Sequence, residues 1–196
     1  MNQATKDVFI NRAIGLFNEG KFKSCFKETH RARKKYPNEP FIYNLLGVLY
    51  AQMESYEDSI KNYSKALKLN PNYLEAYNNI GVAYTSWKKN NKAIEFFNKA
   101  IKINPSYAEA YNNKGNALKE KGDHQLAAEC YMKSINLSPN YIDALINLGI
   151  IWDSMNDFTK SEIYFRKALS LDPTNIPTLY NLASCFFNSK KYQQSI

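Results

Sequence analysis

Apolar residues recur along the chain at helical spacings of three and four, in two kinds of stretch that alternate. Within residues 74–107, Tyr77, Ile80, Gly81 and Tyr84 form one stripe, and Ala93, Phe97, Ala100 and Ile101 form a second. Such spacing marks amphipathic helices with one covered face. The second stripe stops at Asn104-Pro105, where the proline disfavours helix at the residue before it. The pattern predicts two helices per stretch, A and then B. Neither can cover its own stripe alone, so pairs must stack on further pairs.

The landmarks return every 34 residues: Gly81 is matched by Gly47, Gly115 and Gly149, and Pro105 by Pro37, Pro71, Pro139 and Pro173. Internal repetition at this period means a solenoid. Counting Leu74 as position 1, the unit has Tyr77 at 4, Ile80 at 7, Gly81 at 8, Tyr84 at 11, Ala93 at 20, Phe97 at 24, Ala100 at 27 and Pro105 at 32. The same columns hold Tyr43, Leu46, Gly47, Tyr50, Ser59, Tyr63, Ala66 and Pro71 in the preceding copy, and Leu145, Leu148, Gly149, Trp152, Ser161, Phe165, Ala168 and Pro173 two copies on.

With these residues the unit resembles the tetratricopeptide repeat (TPR). The resemblance spans residues 6–196 and implies an all-α fold, a right-handed α-α superhelix of about five and a half repeats forming a single solenoid domain. The copies fall at 6–39, 40–73, 74–107, 108–141, 142–175 and an incomplete 176–196. The first copy has Arg12, Thr29 and Arg33 where later copies mostly carry apolar side chains, which reads as an N-terminal cap. In the last, Leu179, Leu182, Ala183 and Phe186 make a helix A, and a helix B is expected to begin and be cut off near KKYQQSI. That leaves a stripe without a polar closing helix, so the expectation is a truncated chain or a face covered by another molecule, with self-association through it.

Position 15, just past helix A, holds Gly20, Gly122 and Asn156, residues suited to a left-handed turn. Glu54, Lys88 and Lys190 fill it elsewhere, where the turn has to be made at some cost. Tyr73, Tyr107 and Tyr141 at position 34 are expected to pack between repeats.

The N-terminal stretch has no apolar run of signal or membrane-span length, because Asn11, Arg12 and Asn18 interrupt it. Cys25, Cys130 and Cys185 are scattered rather than paired, so they read as reduced thiols. Cys25, at position 20, reads as a small packing residue. A soluble, cytoplasmic protein without membrane insertion is the expectation. The net charge of +8 raises the question of nucleic acid. Arg31, Lys65, Lys99, Lys133 and Lys167, however, all occupy position 26 late in helix B, where the helix dipole favours cations and where the resemblance implies a solvated convex face. Nucleic acid is therefore disfavoured as a partner.

Chemistry is sparse. His30 and His124 have no second ligand one helical turn away, and Glu75, Glu109 and Asp143 at position 2 read as N-terminal dipole partners. Neither a metal nor a cofactor is expected, and the chain reads as a non-enzyme.

The resemblance implies that helix A lines a concave binding face through positions 2, 5, 6, 9, 12 and 13. Position 6 reads Asn11, Leu45, Asn79, Asn113, Asn147 and Asn181, with Asn44, Asn78 and Asn112 at position 5 and Asn116 at position 9. Asparagine is a poor interior helix residue, but its amide both donates and accepts. A row of amides could grip the backbone of an extended polypeptide; equally, short polar side chains could bridge neighbouring helices inside the stack. The phrases AYNNIG, AYNNKG, ALINLG and TLYNLA also look like the N-terminal repeats of O-linked N-acetylglucosamine transferase and related glycosyltransferases and sulfotransferases, where such repeats present substrate polypeptide. The carboxylate clamp of heat-shock co-chaperones needs a lysine at position 5, and none is present. Three readings stand: a peptide-binding adaptor or scaffold, the substrate-presenting region of a larger transferase, and a scaffold self-assembling through its C-terminal face.

Overall fold

The computed structural model describes residues 3–193. Those residues form eleven helices and no strand: α1 (Gln3–Asn18), α2 (Phe22–Lys35), α3 (Pro40–Gln52), α4 (Tyr56–Leu69), α5 (Leu74–Ser86), α6 (Asn90–Ile103), α7 (Ala108–Lys121), α8 (His124–Leu137), α9 (Ile142–Ser154), α10 (Phe158–Leu171) and α11 (Ile176–Gln193). Odd-numbered helices are the A helices and even-numbered ones the B helices. Among the described residues no helix is long and apolar enough to cross a membrane.

The chain divides into two compact units that part between Lys89 and Asn90. In the first, each of α1 to α5 packs on the next, and the A helices α3 and α5 also touch. In the second, α6 to α11 pack in the same serial way, with A-to-A contacts from α7 to α9 and from α9 to α11. The core of the first unit gathers Cys25, Leu45 and Leu49 in one cluster and Ala32, Ile42 and Leu46 in another. That of the second gathers Tyr131, Leu145, Leu148 and Ile151. Fully burying one such aliphatic or aromatic side chain contributes about 1.5–3 kcal/mol.

The position-8 glycines let helices A and B meet at a ring. A Cβ on Gly47 would stand 2.4 Å from the Tyr63 ring, one on Gly115 2.5 Å from Tyr131, and one on Gly149 2.6 Å from Phe165. Position 20 ties the same two helices by a hydrogen bond. Ser59 Oγ donates to the Gly47 carbonyl over 2.8 Å, and in the first copy the Cys25 thiol donates to the carbonyl of Ala13 over 3.2 Å. Cys25 is therefore a packing residue, fully buried.

The turns follow local chemistry. All five described A-to-B turns pass through a left-handed residue at position 15: Gly20, Glu54, Lys88, Gly122 and Asn156, with φ of 69°, 57°, 59°, 90° and 62°. At the B-to-A turns the side chain before proline closes an Asx turn: Asn70 Oδ1 accepts from the Asn72 backbone N–H, Asn104 from that of Ser106, and Asp172 from that of Thr174. Tyr73 and Tyr141 are half-buried, and burial is the main cause that pushes both phenols up to about 12.

The sixth copy departs from the sequence pattern. α11 runs unbroken from Ile176 to Gln193, through Lys190 at position 15, instead of turning into a helix B. A left-handed lysine costs roughly 1–2 kcal/mol, and in the earlier copies that cost is outweighed by a buried position-24 ring such as Tyr63, Tyr131 or Phe165 on the returning helix. Continued helix keeps the backbone bonds instead.

Candidate functional site

The asparagines at positions 5 and 6 lie on the A helices and meet across repeats. In the first unit Asn79 Nδ2 of α5 donates to Asn44 Oδ1 of α3 over 3.1 Å. In the second, Asn147 Nδ2 of α9 donates to Asn112 Oδ1 of α7 over 3.0 Å. Each bond joins position 5 of one repeat to position 6 of the next, 35 residues on. Asn112 also donates to Asn113 Oδ1 over 3.4 Å.

The row is not uniform in depth. Asn78 and Asn112 are buried, with 1% and 3% of their surface exposed. Asn44, Asn79, Asn113, Asn147 and Asn181 are half-buried, and Asn11 is exposed. Asn116 accepts from the Tyr131 hydroxyl over 2.8 Å, which ties position 9 to helix B. Asn79 and Asn147 thus each commit one N–H to a neighbouring repeat, and a primary amide has a second N–H and two acceptor lone pairs besides.

Beside Asn79, a recess of about 310 Å³ opens between α3 and α5. Its lining includes Val48, Ala51 and Gln52 from α3 and Val82, Ala83 and Ser86 from α5, with Tyr56 and Tyr63 behind. No charged side chain lines it. The second unit carries a further polar bridge that spacing alone did not bring out: Asn188 Nδ2 donates to Asp153 Oδ2 over 3.1 Å, from position 13 to position 12 of the preceding repeat. Both columns belong to the helix-A lining, which was the available signal.

Tetratricopeptide repeat models match residues 74–107, 108–141, 142–175 and 164–196, and a model described as TPR repeat matches residues 47–86. The chain belongs to the tetratricopeptide repeat family. No curated protein matches it. Among solved structures, MamA is similar over 82% of this TPR chain and 94% of its own, with 27% identity and a TM-score of 0.69. TTC0263, a thermophilic TPR protein of Thermus thermophilus, covers 93% of this chain and 99% of its own at 18% identity and a TM-score of 0.80. YrrB, described as a TPR protein with an unusual peptide-binding site, covers 88% and 89% at 19% identity and a TM-score of 0.65.

Among the described residues no group of three or more His, Cys, Asp or Glu is placed to hold a metal ion. Burial is the first cause that pushes the thiols of Cys25, Cys130 and Cys185 up, away from the reactive thiolate. His30 is held below the usual imidazole value, first by burial and then by the nearby charges of Arg33 and Lys34.

Proposed function

We propose that the chain is a non-catalytic scaffold that binds an extended polypeptide along the helix-A face, with the asparagine row as the grip. The carrying observation is the pair of amide bridges, Asn79 to Asn44 and Asn147 to Asn112. Each bridge holds one asparagine in a fixed rotamer from behind, so the remaining N–H and carbonyl of Asn79 and Asn147 meet a ligand already ordered, which lowers the entropic cost of binding. In this reading Asn11 and Asn79 in the first unit, and Asn113, Asn147 and Asn181 in the second, face polypeptide. Asn44, Asn78 and Asn112 position them, and Asn116 steadies position 9 through Tyr131. The recess beside Asn79, lined by apolar and uncharged polar side chains, suits a small uncharged side chain of the same ligand.

The peptide-binding site of the similar protein YrrB lends support to the polypeptide as ligand class. The same row supports a narrower second reading, a substrate-presenting region of a larger glycosyltransferase or sulfotransferase, because backbone-directed amides tolerate many sequences. Affinity capture on immobilised protein, against an Asn79→Ala/Asn147→Ala double variant, tests the proposal. Polypeptides retained by the wild type and lost by the variant are expected; equal retention by both sinks it.

A further inference from the structure

We propose a second binding site on the opposite, helix-B side of the first unit, which takes an extended acidic polypeptide segment. A cavity of about 490 Å³ there is lined by Arg33 of α2 and by Lys61, Lys65 and Lys68 of α4, with Tyr43 and Tyr50 of α3 beneath. One carboxylate, Asp58, lies at its edge and accepts from the Ser55 hydroxyl over 3.1 Å.

The cations here are not those of an ordinary solvated helix face. Each of three other B helices has a cation held by a carboxylate one turn away: Glu95 holds Lys99 at 2.6 Å on α6, Glu162 holds Arg166 at 2.6 Å on α10, and Glu28 holds Arg31 at 3.4 Å on α2. Among the described residues no ion pair holds Arg33, Lys61, Lys65 or Lys68. Position 26 is cationic in every complete copy, as the helix dipole favours, but α4 adds Lys61 at position 22 and Lys68 at 29. The corresponding residues are Lys27 and Lys34 in α2, Glu95 and Lys102 in α6, Glu129 and Asn136 in α8 and Ile163 and Ser170 in α10, so all three columns are cationic in α2 and α4, and in α2 the position-26 cation is held by Glu28. Four like charges around one cavity, with the single carboxylate of Asp58 among them, repel one another, and an anionic ligand would relieve that. His30, whose imidazole is pushed down partly by Arg33 and Lys34, registers the same local field.

The spacing points to the kind of anion. Lys61, Lys65 and Lys68 lie on one face of α4, about 6.0 and 4.5 Å apart along the axis at 1.5 Å per residue. In an extended chain, side chains on one side repeat at about 6.6–6.8 Å, so carboxylates at every second residue can follow the row. Single-stranded nucleic acid is less well served, because it relies on aromatic faces on which bases stack. Lys65 lies over the Tyr43 ring at 5.9 Å, the Tyr43 hydroxyl is tied to the Pro37 carbonyl, and Tyr50 packs against Phe26 edge-to-face.

The test is fluorescence anisotropy with a labelled eight-residue peptide of alternating Ser and Glu, on the full chain, across a salt series. Binding that weakens with salt is expected. Lys61→Glu/Lys65→Glu/Lys68→Glu should reduce affinity about tenfold or more, since whole charges are reversed at the contact. Asn79→Ala, on the other face, should leave the affinity unchanged, which separates this site from the helix-A groove. If circular dichroism shows the reversal variant unfolded, Lys65→Gln/Lys68→Gln takes its place with the same expected direction. Equal affinity of wild type and the folded variant overturns the proposal. So does tighter binding of an oligouridylate or of inorganic polyphosphate than of the peptide.

Discussion

A Cβ placed on Gly115 would lie 2.5 Å from the ring of Tyr131, closer than real side chains approach. Tyr131 cannot readily swing aside, because it is fully buried and its hydroxyl is bonded to Asn116. Gly115→Leu is therefore expected to lower stability by about 1–3 kcal/mol through overpacking, read as a fall in melting temperature. Gly47→Ala and Tyr63→Leu should be non-additive in a double-mutant cycle, because the leucine vacates the space the new methyl needs; strict additivity would contradict the packing described.

The amide bridges predict a split between binding and stability. Asn79→Ala and Asn147→Ala each remove one hydrogen bond, worth about 0.5–1.5 kcal/mol in net terms. Both should weaken polypeptide binding by more than that stability loss explains. Asn11→Ala, exposed and unbridged in this way, should be silent in thermal melts. Calorimetric titration beside the melts separates the two effects.

The left-handed residues offer stability gains. Glu54 and Lys88 hold φ of 57° and 59°, a conformation that costs an ordinary L-residue roughly 1–2 kcal/mol. Glu54→Gly and Lys88→Gly should each raise the melting temperature, Asn156→Gly should do little because asparagine tolerates the region, and Gly122→Ala should lower it. A melt series across the four variants reads the order.

Much of this was legible in the sequence, for reasons that differ by residue. Position 15 could be read because Gly and Asn are chosen for backbone conformation, and two of the three residues there that are neither, Glu54 and Lys88, adopt the same turn, while Lys190 stays helical. The position-8 glycines could be read because helix propensity argues against them. The asparagine bridge was harder to see. Repeat alignment compares like columns, whereas Asn79 pairs with Asn44 across adjacent columns. Burial of Asn78 and Asn112 also escaped, since an amide looks the same in sequence whether wet or dry. The straight course of α11 escaped for a related reason: a turn forms only when the returning helix finds a core.

Alkaline pH should unfold the protein earlier than its charge alone implies. Tyr73 and Tyr141 titrate at about 12 in the folded chain, above the unfolded phenol value of about 10. Tyr63 and Tyr131 are shifted upward further by burial. Between the two values the native state holds protons that the unfolded chain has released, so stability is intact below about pH 10 and falls as pH rises through that window. Phenolate absorbance and circular dichroism should change together; full ionisation with unchanged ellipticity would contradict it.

Cys25→Ser should be well tolerated, because Ser59 already fills the same position and makes the equivalent bond at 2.8 Å. Native-state thiol labelling should be slow at Cys25 and Cys185, both buried, and fast once denaturant is added.

The bridge between positions 5 and 6 also bears on how such a chain can grow. The repeats beginning at Leu74 and Ala108 each carry both halves of the bond, an asparagine to accept and one to donate. Duplication or deletion of either of these two repeats, in a step of 34 residues, would therefore deliver matching halves at the new junction, while a step of another length would break the match. Length could change by copies of these two repeats without a new amide bridge having to be evolved.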